Sequence, residues 1–148
     1  MLTTIKPFGK ISSTVVEAFE RCNQLILPDD YKKFLISSNG GLVELMTCYI
    51  EKLNESVLLE VLLGIDQQER SFNMGFWLNR FHDEMPKGFI VIGLGSTGMF
   101  ILGTDDKRED LGVYFWDDAH AFKGSSEGGN TYRVAKSFTE FLGSLKPL

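Results

Sequence analysis

Three glycines, Gly93, Gly95 and Gly98, have the G-x-G-x-x-G spacing that is typical of dinucleotide-binding loops. Such a loop requires a helix that begins at the last glycine, because the helix N-terminus receives the pyrophosphate. Here the next residues, 99–102, form a short apolar run closed by a polar turn, which is typical of a strand. The spacing therefore favours a β-hairpin with glycines in its turn, and we expect no bound cofactor.

Histidine and cysteine, the other residue types that could do chemistry, occur twice each: His82, His120, Cys22 and Cys48. Zinc sites need three or four clustered ligands, and neither histidine has Cys, His or Glu at the usual ligand spacing. We expect solvated histidines and no metal. Both cysteines lie in apolar-patterned segments, which predicts two buried free thiols. A Cys–His nucleophile pair would need proximity in space that spacing does not predict, and no convergent titratable groups indicate a small hydrolase. We therefore predict no catalytic residue.

Acidic side chains are concentrated in residues 104–120, where six of them stand against Lys107 and Arg108. This balance of −4 is most of the formal net charge of −5. A net acidic chain without a basic stripe is a poor candidate for binding nucleic acid, whereas its field favours a basic protein partner. The alternative for Asp105 and Asp106 is that they simply close a turn, as aspartate often does.

Two tryptophans join the acidic residues as candidate partner contacts, since aromatic side chains often anchor interfaces. Core packing is the alternative for both of them. The full set of predicted partner-binding residues is Asp105, Asp106, Glu109, Asp110, Trp116, Asp117, Asp118 and Trp77.

The elements that must position these residues begin with a helix pair. Thr14 and Glu17 have capping-box spacing, which predicts a helix start at Thr14. A second helix is predicted to open at Pro28, with Phe34 on its apolar stripe, and to end at the left-handed formers of 39–41. Residues 42–50 and 57–65 have the composition of strands. The segment 71–81 is ambiguous, although its Phe and Trp spacing favours a helix.

Three short strands, 89–92, 99–102 and 112–116, follow with tight turns between them, and a closing helix begins at the capping box of Ser137 and Glu140. Strands joined by tight turns pair antiparallel. The sequence thus predicts a single α+β domain over 1–148: an antiparallel β-sheet with helices packed mainly on one face, an N-terminal helix pair and a C-terminal helix.

The beginning of the chain lacks the layout of a secretion signal, because Pro7, Gly9 and Lys10 interrupt any apolar region. No apolar run approaches the roughly 20 residues that span a bilayer. We expect a soluble, cytoplasmic protein that does not enter membranes.

Three segments together resemble the SUKH superfamily, the Smi/Knr-like proteins. The first, 27–35 with 39–41, reads L-P-D-D-Y-K-K-F-L and N-G-G. The second, 85–93, reads M-P-K-G-F-I-V-I-G, and the third, 113–117, reads V-Y-F-W-D before the terminal S-F-T-E-F-L helix. The match runs in order from about residue 14 to 145. It departs from the family in the turn 93–98, which has no acidic residue.

The resemblance implies a binding role and no catalysis. Many bacterial members of the superfamily are similar to immunity proteins that neutralise toxins, often nucleases, and others are regulatory interaction proteins, including cell-wall regulators. We expect an immunity protein whose partner is a toxin domain with a basic surface. The alternative is a regulatory adaptor of the Smi/Knr type.

Overall fold

The computed structural model describes residues 5–105, 110–117 and 130–148. Within these ranges the chain forms four α-helices, and no helix there is long and apolar enough to cross a membrane. The helices are α1 (Ser13–Asn23), α2 (Asp29–Ser38), α3 (Met74–Phe81) and α4 (Phe138–Ser144).

The strands all belong to one antiparallel sheet. They are β1 (Ile5–Pro7), β2 (Gly41–Ile50), β3 (Glu55–Leu62), β4 (Phe89–Gly95), β5 (Met99–Gly103), β6 (Val113–Trp116), β7 (Thr131–Ala135) and β8 (Lys146–Pro147). The order follows the chain from β1 to β7, and β8 returns to pair with β2. This confirms the predicted α+β fold. The strands β1, β7 and β8 were not predicted, since none of them stands out in the sequence as an apolar run between turn residues.

Aromatic side chains join the helices to the sheet. Tyr31 on α2 meets Phe138 on α4 edge-on at 4.8 Å between ring centroids, and Phe141 on α4 packs at 5.3 Å on Phe100 of β5. Tyr31, Phe138 and Phe141 are all fully buried. Phe34, predicted to lie on the apolar stripe, is only half-buried because the stripe of α2 is centred on Tyr31 and Leu35.

The start of α1 differs from the prediction. The capping side chain belongs to Ser12, whose Oγ accepts a hydrogen bond from the Val15 N–H at 3.3 Å, and Thr14 lies inside the helix. Ser12 takes the cap because its backbone is extended, as an N-cap requires. The predicted cap at Ser137 is confirmed, since its Oγ accepts from the Glu140 N–H at 3.0 Å.

Asn39 and Gly40 set the path from α2 into the sheet. Both have a left-handed backbone, with φ of 49° and 81°. The buried Asn39 amide accepts a hydrogen bond from the Ile65 N–H at 2.8 Å and donates one to the Ile65 carbonyl at 2.9 Å. A Cβ at Gly40 would lie 2.4 Å from the Leu62 carbonyl oxygen, so only glycine fits this approach.

Candidate partner-binding cleft

A cleft of about 1610 Å³ opens at the end of the sheet where β5 finishes. One wall is the C-terminal half of α1 with the loop that follows it, and the other is the end of α3 with the turn that leads to β4. Its apolar lining includes Met85 and Phe89, which are buried, and Leu25 and Leu78, which are half-buried. The volume exceeds the roughly 300–1,000 Å³ of small-molecule pockets, so a protein segment suits the cleft better than a small ligand.

Backbone hydrogen bonds hold the rim of the cleft in place. The Asp105 N–H donates to the Ile26 carbonyl at 2.9 Å, and the Thr104 N–H and Oγ1 donate to the Gly88 carbonyl at 2.9 and 2.7 Å. Asp105 has a left-handed backbone with φ of 73°, and its side chain is exposed. Ile26 is 54% exposed beside it. An exposed aliphatic side chain next to a carboxylate is the combination that gives an interface an apolar contact with a polar rim.

Charges of both signs line this cleft, which the sequence did not predict. Glu20 accepts a hydrogen bond from the Leu27 N–H at 2.8 Å and lies 3.7 Å from Lys32, so these two side chains are occupied in holding α1 to α2. Arg21 and Lys87 also line the cleft, opposite in sign to Asp83 and Asp105. The cleft is therefore nearly balanced in charge within the described residues.

The acidic residues predicted to form one patch lie at two ends of the sheet. Asp105 and Asp110 are exposed near the end where β5 leaves and β6 enters, since a Cβ at Gly103 would lie 3.3 Å from the Asp110 carbonyl. Asp117 is half-buried at the other end of β6, beyond the pair of Trp116 with Met99. Six residues separate Asp110 from Asp117, and four of them form β6, which spans roughly 13 Å. The single local field expected from the sequence is thus divided. Three predicted contacts fall outside the described residues: Asp106, Glu109 and Asp118.

The two predicted aromatic anchors differ in burial. Trp116 is fully buried and meets Phe81 edge-on at 5.3 Å, so it has no surface to offer and the prediction that it contacts a partner is wrong. It is the last residue of β6, a strand whose four residues are all buried, which explains this. Trp77 is half-buried, donates its Nε1–H to the Ser71 carbonyl at 2.7 Å and stacks on Phe81 at 5.8 Å. Its exposed portion leaves the prediction of a partner contact open.

Sequence reasoning missed Ile26, although a signal was present. Leu25, Ile26 and Leu27 form an apolar run in a loop directly before Pro28. Three consecutive side chains in a short loop cannot all point toward the same core, and of these three only Leu27 is fully buried. An apolar run in a loop therefore indicates a contact surface.

The glycine-spaced segment and the histidine have ordinary structural roles. Gly95 and Gly98 close the β4–β5 hairpin, with the Gly95 N–H donating to the Gly98 carbonyl at 2.8 Å, and a strand follows where a dinucleotide site needs a helix. His82 is exposed, with Nε2 3.2 Å from Asp83. Among the described residues no group of three His, Cys, Asp or Glu side chains could hold a metal ion.

Burial determines the two pKa shifts that stand out. It raises the pKa of the Cys48 thiol from 9.0 to about 12, and it raises the pKa of the Tyr31 phenol well above its usual range. Both side chains are kept neutral, which is opposite to the activation of a nucleophile or base near neutral pH. Cys22, predicted to be buried, is exposed and lines the cleft near the C-terminal end of α1.

Comparison with known families gives a match over most of the chain. The model of the SMI1 / KNR4 family (SUKH-1) matches residues 10–144, nearly the whole chain. A search of curated proteins found no match. The motif residues within the matched range lie largely in the core and at helix ends, as Leu27, Tyr31 and Asn39 do. They maintain the fold, and the partner surface has to be sought among the exposed residues.

Proposed function

The chain belongs to the SMI1 / KNR4 family (SUKH-1), and from this premise we propose that it binds and neutralises a cognate bacterial toxin. Family membership supports an immunity or a regulatory protein of this type. The family consists generally of binding proteins without catalysis. The neutral, buried state of Cys48 and Tyr31 agrees with a chain that binds rather than reacts.

The observation that carries the proposal, beside the family, is the cleft rim formed by Asp105 and Ile26. A toxin that cuts nucleic acid approaches phosphates and tends to carry a basic surface. Asp105 and Asp110 would attract such a surface, while Ile26 and the apolar floor would give the contact its short-range affinity. Trp77 remains a proposed contact on the exposed side of α3.

A regulatory adaptor is the second candidate function. The near-balanced charge of the cleft favours it, because an inhibitor that mimics nucleic acid would present mainly acidic side chains there. An adaptor would bind one or more housekeeping proteins with moderate affinity and would protect cells from no toxin.

Co-purification and rescue separate the two candidates. The full chain is expressed with the product of the neighbouring gene, and cells are challenged with that product in the presence of the wild-type chain or the Ile26→Glu variant. Immunity predicts that wild type forms a stable complex and restores growth, and that Ile26→Glu weakens both. Capture of several housekeeping proteins without rescue would favour the adaptor.

A further inference from the structure

Four of the five large apolar side chains that are exposed among the described residues lie along β2 or at the chain end that pairs with it. Leu42, Leu45 and Tyr49 belong to β2 and are 42%, 64% and 53% exposed. Leu148 is 80% exposed and donates its N–H to the Leu45 carbonyl at 2.8 Å. We call these four residues the β2 patch. The fifth exposed side chain, Ile26, belongs to the cleft.

A bulge in β2 turns Leu45 outward. Leu42 pairs with Val61 and Met46 with Leu59, so three residues of β2 lie opposite the single Glu60 of β3. Leu45 takes up the extra length with a left-handed backbone, φ 55°, which is rare for a leucine. β-Bulges re-aim side chains and are over-represented next to functional sites, and strained backbone clusters at such sites.

The size of the β2 patch matches a contact between two copies of this chain. At these exposures the four residues, backbone included, present roughly 500 Å², which is comparable to the largest, often functional, apolar patches on monomers. A two-fold contact would bury about 1,000 Å² in total, which is the lower limit for a specific interface.

The charges beside the patch also suit a second copy. Lys6, which pairs with Leu42 in the sheet, lies 2.7 Å from Glu44, and both side chains are largely exposed. A two-fold axis would place Lys6 of one copy near Glu44 of the other, so the surface is complementary to itself.

Between Gly41 and Thr47, the strand pairing of β2 leaves contact through side chains as the available mode. β1 pairs with β2 at Gly41–Val43 and β8 pairs with β2 at Met46 and Thr47, on either side of the bulge. A strand from another molecule could not add along this stretch. We propose that the β2 patch is the interface of a homodimer, formed by two-fold packing of Leu42, Leu45, Tyr49 and Leu148. This proposal is independent of the proposed function.

Sedimentation equilibrium of the full chain over a concentration series tests the homodimer. Wild type should show a concentration-dependent monomer–dimer equilibrium, and Leu45→Glu should raise its dissociation constant at least about tenfold. Ile26→Glu, the same kind of change at the exposed side chain outside the patch, should leave that constant unchanged. Leu45→Gly, which suits the left-handed backbone, should also weaken the dimer and provides a folded variant if Leu45→Glu unfolds.

Intermolecular NOEs between Leu45 methyl groups and the Tyr49 ring, in a mixture of labelled and unlabelled chains, should locate the contact. A wild-type chain that stays monomeric up to about 1 mM, or a dimer that both Leu45 variants leave intact, would overturn the proposal. So would a monomeric chain whose Leu45→Glu variant loses a different protein partner, since the patch would then belong to that partner.

Discussion

Leu45 has a left-handed backbone, which disfavours any side chain, and yet its side chain is largely exposed. A left-handed backbone costs a non-glycine residue about 1–2 kcal/mol, and a side chain that is 64% exposed recovers little of this by burial. Leu45→Gly removes the strain but enlarges the freedom of the unfolded chain. We expect the free energy of unfolding of the monomer to rise by up to about 1 kcal/mol.

Chemical denaturation of dilute protein measures this effect, and Leu42→Gly is the matched control. Leu42 is also exposed but does not have a positive φ, so glycine there should lower the free energy of unfolding by about 0.5–1 kcal/mol. Equal losses in the two variants would show that Leu45 is not strained.

The two cysteines should differ sharply in reactivity. Cys22 is exposed, whereas Cys48 is buried and its pKa is raised to about 12, so Cys48 lacks both access and thiolate. At pH 7–8 a thiol reagent should modify one cysteine quickly, and peptide mapping should identify it as Cys22. Cys48 should react only in denaturant. Rapid modification of both in the folded chain would contradict the burial of Cys48.

At the scale of elements, the position of the first helix cap can be tested by a pair of alanine variants. Ser12→Ala removes the Oγ that accepts from the Val15 N–H and should cost about 1 kcal/mol of stability. Thr14→Ala should change stability by less than about 0.5 kcal/mol, because Thr14 is an exposed residue inside α1. Denaturant unfolding of both variants measures the difference. A larger loss for Thr14→Ala would restore the helix start predicted from the sequence.

Local sequence patterns predicted the helices and five of the eight described strands, but not the contacts between residues distant in the sequence that fix a helix start or add a strand. Ser12 and Thr14 are both residue types that cap helices. The cap is Ser12, which directly follows Ile11, and the Ile11 N–H donates to the Ile36 carbonyl at 3.1 Å. β8 exists because Lys146 pairs with Thr47, ninety-nine residues away. Neither contact leaves a periodic pattern in the sequence.

The candidate site was only partly predictable, because its residues also come together through contacts between positions distant in the sequence. The acidic residues are close together in the sequence. Asp110 precedes β6 and Asp117 follows it, however, so the two lie at opposite ends of the sheet. Trp116 looked like an anchor, although both faces of its strand are covered. The cleft joins Ile26 to Asp105 across about eighty residues, which no spacing rule anticipates.

At the scale of the whole molecule, two exposed surfaces stand out within residues 5–105, 110–117 and 130–148 after the family's motif residues are assigned to the fold. The cleft combines Ile26, an apolar floor and charges of both signs, while the β2 patch is apolar with a self-complementary ion pair. We assign the first to the cognate partner and the second to another copy of the chain. Variants of one surface should therefore leave the other interaction intact.

The central claim is that a protein partner is captured at the cleft rim, and association kinetics test it most directly. The measurement is the on-rate for the co-purified toxin domain at low and high salt. The variant is Asp105→Asn with Asp110→Asn, since asparagine tolerates the left-handed backbone at 105. Glu55→Gln with Glu69→Gln removes the same charge at exposed positions outside the cleft.

We predict that the wild-type on-rate falls steeply with salt, because steering between opposite charges is screened over about 8 Å at physiological ionic strength. The Asp105/Asp110 variant should bind about tenfold more slowly at low salt and lose most of this salt dependence, whereas the Glu55/Glu69 control should behave like wild type. An on-rate that is independent of salt, or equal for the cleft variant and wild type, would contradict capture at this rim.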